Sequence, residues 1–126
     1  MRKAGMNESY FFDTYAFFEI IRGNPRYEVY KEAKFATTKF NLAELNYGLK
    51  KEMSEEQANN YIEEYWKSVV DIELEDIKEA MSLKNRFRDL SIPDCIGYII
   101  AKRLGIKFLT GDEGFRNFEN VEFVKK

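Results

Sequence analysis

The stretch from residue 91 to residue 114, SIPDCIGYIIAKRLGIKFLTGDEG, gives the clearest indication of the fold. Pro93 suits the first turn of a helix, and the apolar residues after it recur at helical spacing: Ile96, Ile99, Ile100 and Leu104. Gly105 provides the stop at the end of that helix. Residues 107–110, KFLT, then predict a short buried strand that runs into the turn TGDEG. We therefore expect a helix over residues 91–104 followed directly by a strand.

The same alternation of strands and helices extends through the rest of the chain. Five short strands are predicted, at residues 10–12, 35–38, 69–72, 107–110 and 121–124. The predicted helices between them include 55–67, 74–87 and one that Asn41 is expected to cap. Strands that alternate with helices imply a mostly parallel sheet covered on both faces, which is a three-layer α/β/α fold. We predict the strand order 3-2-1-4-5, which makes the first and fourth strands neighbours.

Four acidic residues lie where a strand or loop gives way to a predicted helix or turn. They are Asp13 in SYFFDTY, Glu44 in NLAELNYG, Asp94 in SIPDCIG and Asp112 in LTGDEG. In open α/β sheets ligands bind beyond the carboxyl ends of the strands, at the point where the strand order reverses. We expect the four side chains to converge in one cleft at that edge.

Each of these residues also has an ordinary structural explanation. Asp13 suits a helix N-cap, and Glu44 lies three residues after Asn41, which is the spacing of a capping pair. Asp94 in a first helical turn complements the helix dipole, and Asp112 suits a turn. Taken singly, each residue fits the structural explanation better. Only their joint pattern indicates a functional site.

The residue types restrict the chemistry that such a site can perform. The chain has no histidine and one cysteine, Cys95, so a cleft of this kind must work with carboxylates. Two carboxylates 5 Å apart repel each other by roughly 3 kcal/mol at an effective dielectric of 20. Protonation or a bound cation relieves that repulsion. Carboxylate oxygens are the ligands that hard cations such as Mg²⁺ and Mn²⁺ prefer, and the sequence therefore predicts one of these as the cofactor.

Length, charge and composition limit the class of protein. A chain of 126 residues fits a single domain. Its net charge of −2 gives no general support for binding nucleic acid, so any basic surface must be local. One cysteine excludes a disulfide framework and a zinc site of the usual Cys/His type. No membrane-length apolar stretch is present. We expect a cytoplasmic protein with no membrane association.

The motifs above resemble those of the PIN domain family, in particular its VapC-type toxins. The resemblance covers nearly the whole chain and is carried by FFDTYAFF, TTKFNLAELNYGL, SIPDCIGYIIAKRLGIKFLTGDEGF and a short final strand. It implies a PIN-like fold in which Asp13, Glu44, Asp94 and Asp112 fill the four acidic positions of the family. It also implies a Mg²⁺- or Mn²⁺-dependent endoribonuclease that acts on RNA, commonly forms a homodimer and is neutralised by a small antitoxin protein. Residues 1–7 would then be a peripheral N-terminal extension.

Other residues are candidates for supporting roles. The hydroxyls of Thr14 and Thr110 are expected to orient the carboxylates or a metal-bound water, with ordinary turn capping as the alternative. A phosphate-binding rim is predicted from six basic residues: Lys39, Lys50, Lys51, Lys102, Arg103 and Arg116.

The predicted helix over residues 55–67 carries more large apolar groups than one side of a small sheet needs. Tyr61, Tyr65 and Trp66 all lie on it. We expect part of this surface to be buried in a homodimer or under a segment of an antitoxin.

Three alternative functions remain open at this point. Phosphoryl transfer to Asp13, as in haloacid-dehalogenase-like phosphatases, requires a second aspartate two residues later, where Tyr15 stands. Phosphoryl transfer of the receiver-domain type requires an adjacent acidic pair at the end of the first strand, and FFDTY lacks it. An RNA-processing nuclease that is not a toxin fits the motifs as well. The third alternative is a non-catalytic binding module on the same scaffold, which the full acidic set disfavours.

Overall fold

The computed structural model describes residues 8–126, and the predicted N-terminal extension, residues 1–7, lies outside the described residues. The described chain contains nine helices and strands. In order they are β1 (Ser9–Phe12), α1 (Thr14–Ile21), β2 (Lys34–Ala36), α2 (Lys39–Leu49), α3 (Glu55–Tyr65), α4 (Leu74–Arg86), α5 (Ile92–Leu104), β3 (Lys107–Thr110) and β4 (Val121–Phe123). Three short 3₁₀ segments complete this part of the chain: Pro25–Tyr30, Trp66–Ser68 and Glu113–Phe115. No helix among these residues is long and apolar enough to cross a membrane.

The strands form one parallel sheet in the order β2-β1-β3-β4. The register pairs Phe11 of β1 with Ala36 of β2 on one side and with Phe108 of β3 on the other. The first strand and the strand after α5 are therefore neighbours, as predicted. The parallel α/β/α class is confirmed.

Alternating side chains of the strands divide the core into two layers. Tyr10 and Phe12 of β1, with Leu109 of β3, pack on the side of α1 and α2. Phe11 and Phe108 pack on the other side, against α5 and Ala80 of α4. This alternation follows from the two-residue period of a strand, and it explains why β1 is apolar throughout.

The prediction of a strand at residues 69–72, the third of the five predicted strands, is wrong for the part of the chain that the structure describes. Only one parallel bridge forms there, between Thr37 and Val69. The N–H of Thr37 donates to the carbonyl of Ser68 at 3.1 Å, and the N–H of Val70 donates to the carbonyl of Thr37 at 2.9 Å. The ladder stops at one rung because Thr38 already leaves the strand as the N-cap of α2.

The α5 helix, which has the clearest sequence pattern, begins and ends as expected. The hydroxyl of Ser91 accepts a hydrogen bond from the N–H of Asp94 and caps the helix, with Pro93 in its first turn. Gly105 ends it with a positive φ of 71°, a left-handed conformation that glycine adopts without steric penalty. The chain then enters β3 directly, and this tight connection brings the start of α5 and the end of β3 to the same edge of the sheet.

Candidate active site

A cavity of about 420 Å³ opens at the carboxyl ends of β1 and β3. The four predicted acidic residues all line it, each delivered by a different part of the chain. Asp13 follows β1, Glu44 lies on α2, Asp94 lies in the first turn of α5, and Asp112 follows β3. The remaining lining residues are Thr14, Tyr15, Gly111, Glu113 and Lys125.

Asp13 is the most deeply buried of the four, with 1% of its surface exposed. One carboxylate oxygen, Oδ1, accepts a hydrogen bond from the N–H of Ala16 at 2.8 Å, which caps α1. The other, Oδ2, accepts a short hydrogen bond from the hydroxyl of Thr110. Burial raises the pKa of Asp13 well above its usual value, and the negative charge of Asp94 raises it further; the bonds from Thr110 and Ala16 oppose that rise.

Asp94 is partly buried beside Asp13. Burial raises its pKa to about 6, and the charges of Asp112 and Glu44 act in the same direction, against the effect of a hydrogen bond with Ser91. The shifts at Asp13 and Asp94 have the same two physical causes, removal from water and proximity of like charges. A pair of aspartates in this state strongly favours a cation between them.

Glu44 is held by the residue that follows Asp13. The hydroxyl of Thr14 donates to Oε1 of Glu44 at 3.0 Å. The side-chain amide of Asn41 in turn donates to the Thr14 hydroxyl at 3.3 Å. Thr14 therefore links the start of α1 to the acidic residue of α2.

The prediction that Asn41 caps α2 is wrong. Thr38 is the cap: its hydroxyl accepts from the N–H of Asn41 at 3.3 Å and donates to the side-chain oxygen of Asn41 at 2.7 Å. Asn41 lies inside the helix, fully buried. The pairing of Asn41 with Glu44 as a capping box is therefore wrong as well, and Glu44 has no capping duty at this helix end.

Asp112 begins the 3₁₀ segment Glu113–Phe115. Its Oδ1 accepts from the N–H of Gly114 at 3.0 Å, so it does perform the turn-capping role expected of it. Its own N–H donates to the hydroxyl of Thr110 at 3.1 Å. Because the same hydroxyl donates to Asp13, Thr110 connects the two acidic residues that follow β1 and β3.

The predicted phosphate-binding rim does not form the wall of the cavity, although Arg116 pairs with Glu113, which lines it. None of its six members is among the residues that line the described cavity. Four of the six form ion pairs instead: Lys50 with Glu55, Lys102 with Glu119, Arg103 with Asp76 and Glu73, and Arg116 with Glu113. The other two, Lys39 and Lys51, lie over the rings of Trp66 and Tyr47.

Sequence reasoning missed the basic residue that does line the cavity, Lys125. It follows β4, whose carboxyl end lies at the same edge as that of β3 because the two strands are parallel. The predicted strand at residues 121–124 and the parallel topology together would have located it. Tyr15 and Glu113, each next to a predicted acidic residue, were also missed.

The donors around the cavity fit a hard divalent cation. They are carboxylates and hydroxyls, which Mg²⁺ and Mn²⁺ prefer, and no basic side chain among residues 8–126 forms an ion pair with Asp13 or Asp94. Among residues 8–126, no group of three or more acidic, histidine or cysteine side chains is arranged to hold an ion by itself. Mg²⁺ usually takes one or two carboxylates and keeps several waters. Asp13 and Asp94 would hold such an ion, with Glu44 and Asp112 within the same cavity.

Three solved structures share this fold at low sequence identity. A toxin–antitoxin complex from Klebsiella pneumoniae has a TM-score of 0.74 and 18% identity, over 93% of this chain and 99% of that chain. VapBC2 from Rickettsia felis, bound to a promoter DNA fragment, has a TM-score of 0.67 and 17% identity, over 93% and 98%. VapBC-1 from nontypeable Haemophilus influenzae has a TM-score of 0.68 and 15% identity, over 93% and 97%. At these identities the likeness concerns the fold.

A family model identifies the chain more specifically. Comparison with curated proteins gives no significant match. Residues 10–121, from β1 to the start of β4, match the model of the PIN domain, whose members are generally nucleases. The match contains all four acidic residues of the cavity and both threonines that contact them. This chain belongs to the PIN domain family.

Proposed function

We propose that this protein is a Mg²⁺- or Mn²⁺-dependent endoribonuclease that hydrolyses RNA phosphodiester bonds, and that it is the toxin of a toxin–antitoxin pair. The observation that carries the proposal is the cavity in which Asp13 and Asp94, both with raised pKa values, lie together with Asp112 and Glu44. Membership of a family that is generally nucleolytic gives the reaction class. The likeness to toxin–antitoxin complexes supports the toxin role.

The protein residues would act by positioning charge. Asp13 is held at both carboxylate oxygens, by Ala16 and Thr110, so its side chain is already oriented before a ligand binds. Thr14 holds Glu44 in the lining of the same cavity. A bound divalent cation would supply Lewis acidity and neutralise charge on the scissile phosphate. The cavity residues do not include histidine, so general-base chemistry by imidazole is excluded.

The test is cleavage of single-stranded RNA by the wild type and by Asp13→Asn, with Mg²⁺, with Mn²⁺ and with a chelator. Asn is also a good helix cap, so the variant keeps the shape of the α1 start while removing one negative charge. Asp13→Asn should cleave RNA about a hundredfold more slowly than the wild type, or more slowly still, because the loss of a metal-binding carboxylate removes several kcal/mol of transition-state stabilisation. Cleavage by the wild type should need the metal.

A matched control removes a carboxylate of similar chemistry outside the cavity. Asp71→Asn is suitable, because this aspartate is exposed and does not line the cavity. It should cleave RNA at the wild-type rate. Equal rates for the wild type and Asp13→Asn, or equal rates with metal and with chelator, would contradict the proposed function.

The proposed protein partner is an antitoxin, and the surface between α2 and α3 is where we expect it to bind. Tyr65 of α3 packs inside against Phe17 and Phe35, whereas 54% of Trp66 is exposed. A groove of about 360 Å³ beside it has an apolar floor that includes Leu42 and Ile62. Its occupation by an apolar segment of the antitoxin would bury Trp66. The test of the antitoxin site is Trp66 fluorescence, which should shift when a purified antitoxin is added. The test of the proposed homodimer is its mass in light scattering.

A further inference from the structure

Hydrogen bonds hold residues 124–126 beside the carboxylate cavity. The N–H of Val124 donates to the carbonyl of Thr110 at 2.9 Å, and the carbonyl of Val124 accepts from the hydroxyl of Tyr27 at 2.7 Å. Gly111 allows this close approach, because a Cβ at that position would lie 2.5 Å from the Val124 oxygen. Val124 therefore lies directly beside the end of β3.

The next two residues are held as well. The carbonyl of Lys125 accepts from the guanidinium of Arg26 at 3.0 Å. The N–H of Lys126 donates to the hydroxyl of Tyr15 at 3.1 Å. The backbone is therefore hydrogen-bonded at residues 124, 125 and 126. These bonds fix the direction in which the Lys125 side chain leaves the backbone, which is toward the cavity that it lines.

Lys125 differs in charge from its surroundings. It is the only basic residue in the described lining of the cavity, which otherwise contains five acidic residues: Asp13, Glu44, Asp94, Asp112 and Glu113. A phosphodiester that enters this cavity would be repelled by every charged side chain except Lys125. An ammonium group here carries three hydrogen-bond donors on a flexible stem, which suits a phosphate oxygen.

The ion pair that Lys125 makes in the free protein is easily exchanged. Its Nζ lies 3.4 Å from Oε1 of Glu113, and both side chains are about half exposed. Glu113 has a better partner in Arg116, whose Nε and Nη2 bind its two oxygens at 2.7 and 2.9 Å. If Lys125 moves to a phosphate, Glu113 stays paired, and exposed pairs of this kind contribute little to stability.

We propose that Lys125 binds a backbone phosphate of the nucleic acid beside the carboxylates and thereby sets where the strand lies in the cavity. The inference rests on the proposed function. Within it, Lys125 is a substrate-binding residue, and Tyr15, Arg26 and Tyr27 act through it as positioning residues.

The test is binding of a single-stranded RNA oligonucleotide to Lys125→Met, measured in Mg²⁺ over a range of salt concentrations. All proteins carry Asp13→Asn so that the RNA is not consumed. Loss of one phosphate contact should reduce the slope of log K against log salt by about 0.7. At low salt the affinity should fall by roughly tenfold. Lys125→Arg should keep most of the affinity, because it keeps the charge.

The matched control is Lys107→Met. Lys107 is an exposed lysine at the start of β3, at the opposite edge of the sheet from the cavity, and its replacement should leave affinity and salt slope unchanged. Tyr27→Phe removes the hydrogen bond to Val124 without changing charge. It should also weaken RNA binding, but by a smaller factor than Lys125→Met. An unchanged salt slope for Lys125→Met would overturn the inference.

Failure of this inference is distinguishable from failure of the proposed function. Metal-dependent cleavage by the wild type together with an unchanged slope for Lys125→Met would overturn the role of Lys125 alone. A reduced slope without any metal-dependent cleavage by the wild type would overturn the nuclease proposal and support phosphate binding by Lys125.

Discussion

Two buried aspartates at helix starts, Asp13 and Asp76, have opposite electrostatic surroundings. They are 1% and 2% exposed, and each accepts a backbone N–H, from Ala16 and from Glu73 respectively, at 2.8 Å. The guanidinium of Arg103 binds both oxygens of Asp76, each at 2.9 Å. Asp13 instead faces other carboxylates.

The two pKa values move in opposite directions for that reason. Burial raises the pKa of Asp76, but hydrogen bonds from Arg103 and from the backbone of Glu73 outweigh it, and the pKa is lowered. Burial also raises the pKa of Asp13, and the charge of Asp94 adds to it. The fold neutralises Asp76 with an arginine, whereas no basic side chain among residues 8–126 pairs with Asp13. Asp76 therefore stabilises the fold, and Asp13 carries a cost that a ligand can relieve.

The largest expected effect on stability comes from Asp76→Asn. The variant turns a side-chain amide toward the partly buried Arg103 guanidinium, which then keeps only its longer contact with Glu73, at 3.5 Å, among the described acidic side chains. The free energy of unfolding at pH 7 should fall by about 2 to 4 kcal/mol. Urea unfolding monitored by circular dichroism measures it. RNA cleavage below the unfolding transition should stay at the wild-type level.

Asp13→Asn is the matched counterpart. Without metal it should unfold at the same urea concentration as the wild type or at a higher one, because a buried charge among like charges is removed while the cap is kept. If Asp13→Asn lost as much stability as Asp76→Asn, the contrast between the two aspartates would be wrong.

The second prediction concerns the pH dependence of stability in a chelator. The folded pKa of Asp94 is about 6, above its usual value, so the stability that its protonation provides is complete below about pH 4 and is lost as pH rises through 6. The loss between pH 5 and pH 8 should be about 2 kcal/mol at most. Asp94→Asn should remove it. Asp76 behaves in the opposite sense, since its lowered pKa gives stability that disappears only as pH falls below about 4.

The measurement is urea unfolding of the wild type and Asp94→Asn at pH 5 and pH 8. Asp71→Asn, at an exposed position outside the cavity, serves as the control and should follow the wild type. Identical pH dependence in the wild type and Asp94→Asn would show that the pKa of Asp94 is not raised in the folded protein, either by burial or by the neighbouring carboxylates.

Asp13 and Asp76 also differ in how far their surroundings could be predicted from the sequence. Asp13 comes directly after an apolar strand, so local pattern and parallel topology were enough to bring it near Asp112. Asp76 and Arg103 are 27 residues apart and meet only because α4 packs on α5. No local pattern indicates that pair, and Arg103 was therefore assigned to a phosphate-binding rim.

The errors in the fold prediction have a similar cause. The strand expected at residues 69–72 is apolar enough, but its partner β2 ends where Thr38 begins α2, so pairing stops at Val69. Asn41 has the right chemistry for a cap and the wrong position, since Thr38 takes that role. In both cases Thr38 decides the structure: it ends the pairing with residues 69–72, and it caps α2 in place of Asn41. Local sequence does not separate these possibilities, because strand and loop, or Thr and Asn as a cap, have nearly equal propensity.

The smallest expected effect is stabilisation by the metal itself. A cation that binds only the folded protein adds about 1.4 kcal/mol at ten times its dissociation constant. Mg²⁺ or Mn²⁺ should therefore raise the melting temperature of the wild type by a few degrees. Asp13→Asn and Asp94→Asn should show a smaller rise, because each removes a charge that the cation would offset. Asp76→Asn, although much less stable at the outset, should respond to metal as fully as the wild type, since Arg103 and not a bound cation balances that carboxylate. Equal responses from all four proteins would mean that the ion binds outside the cavity.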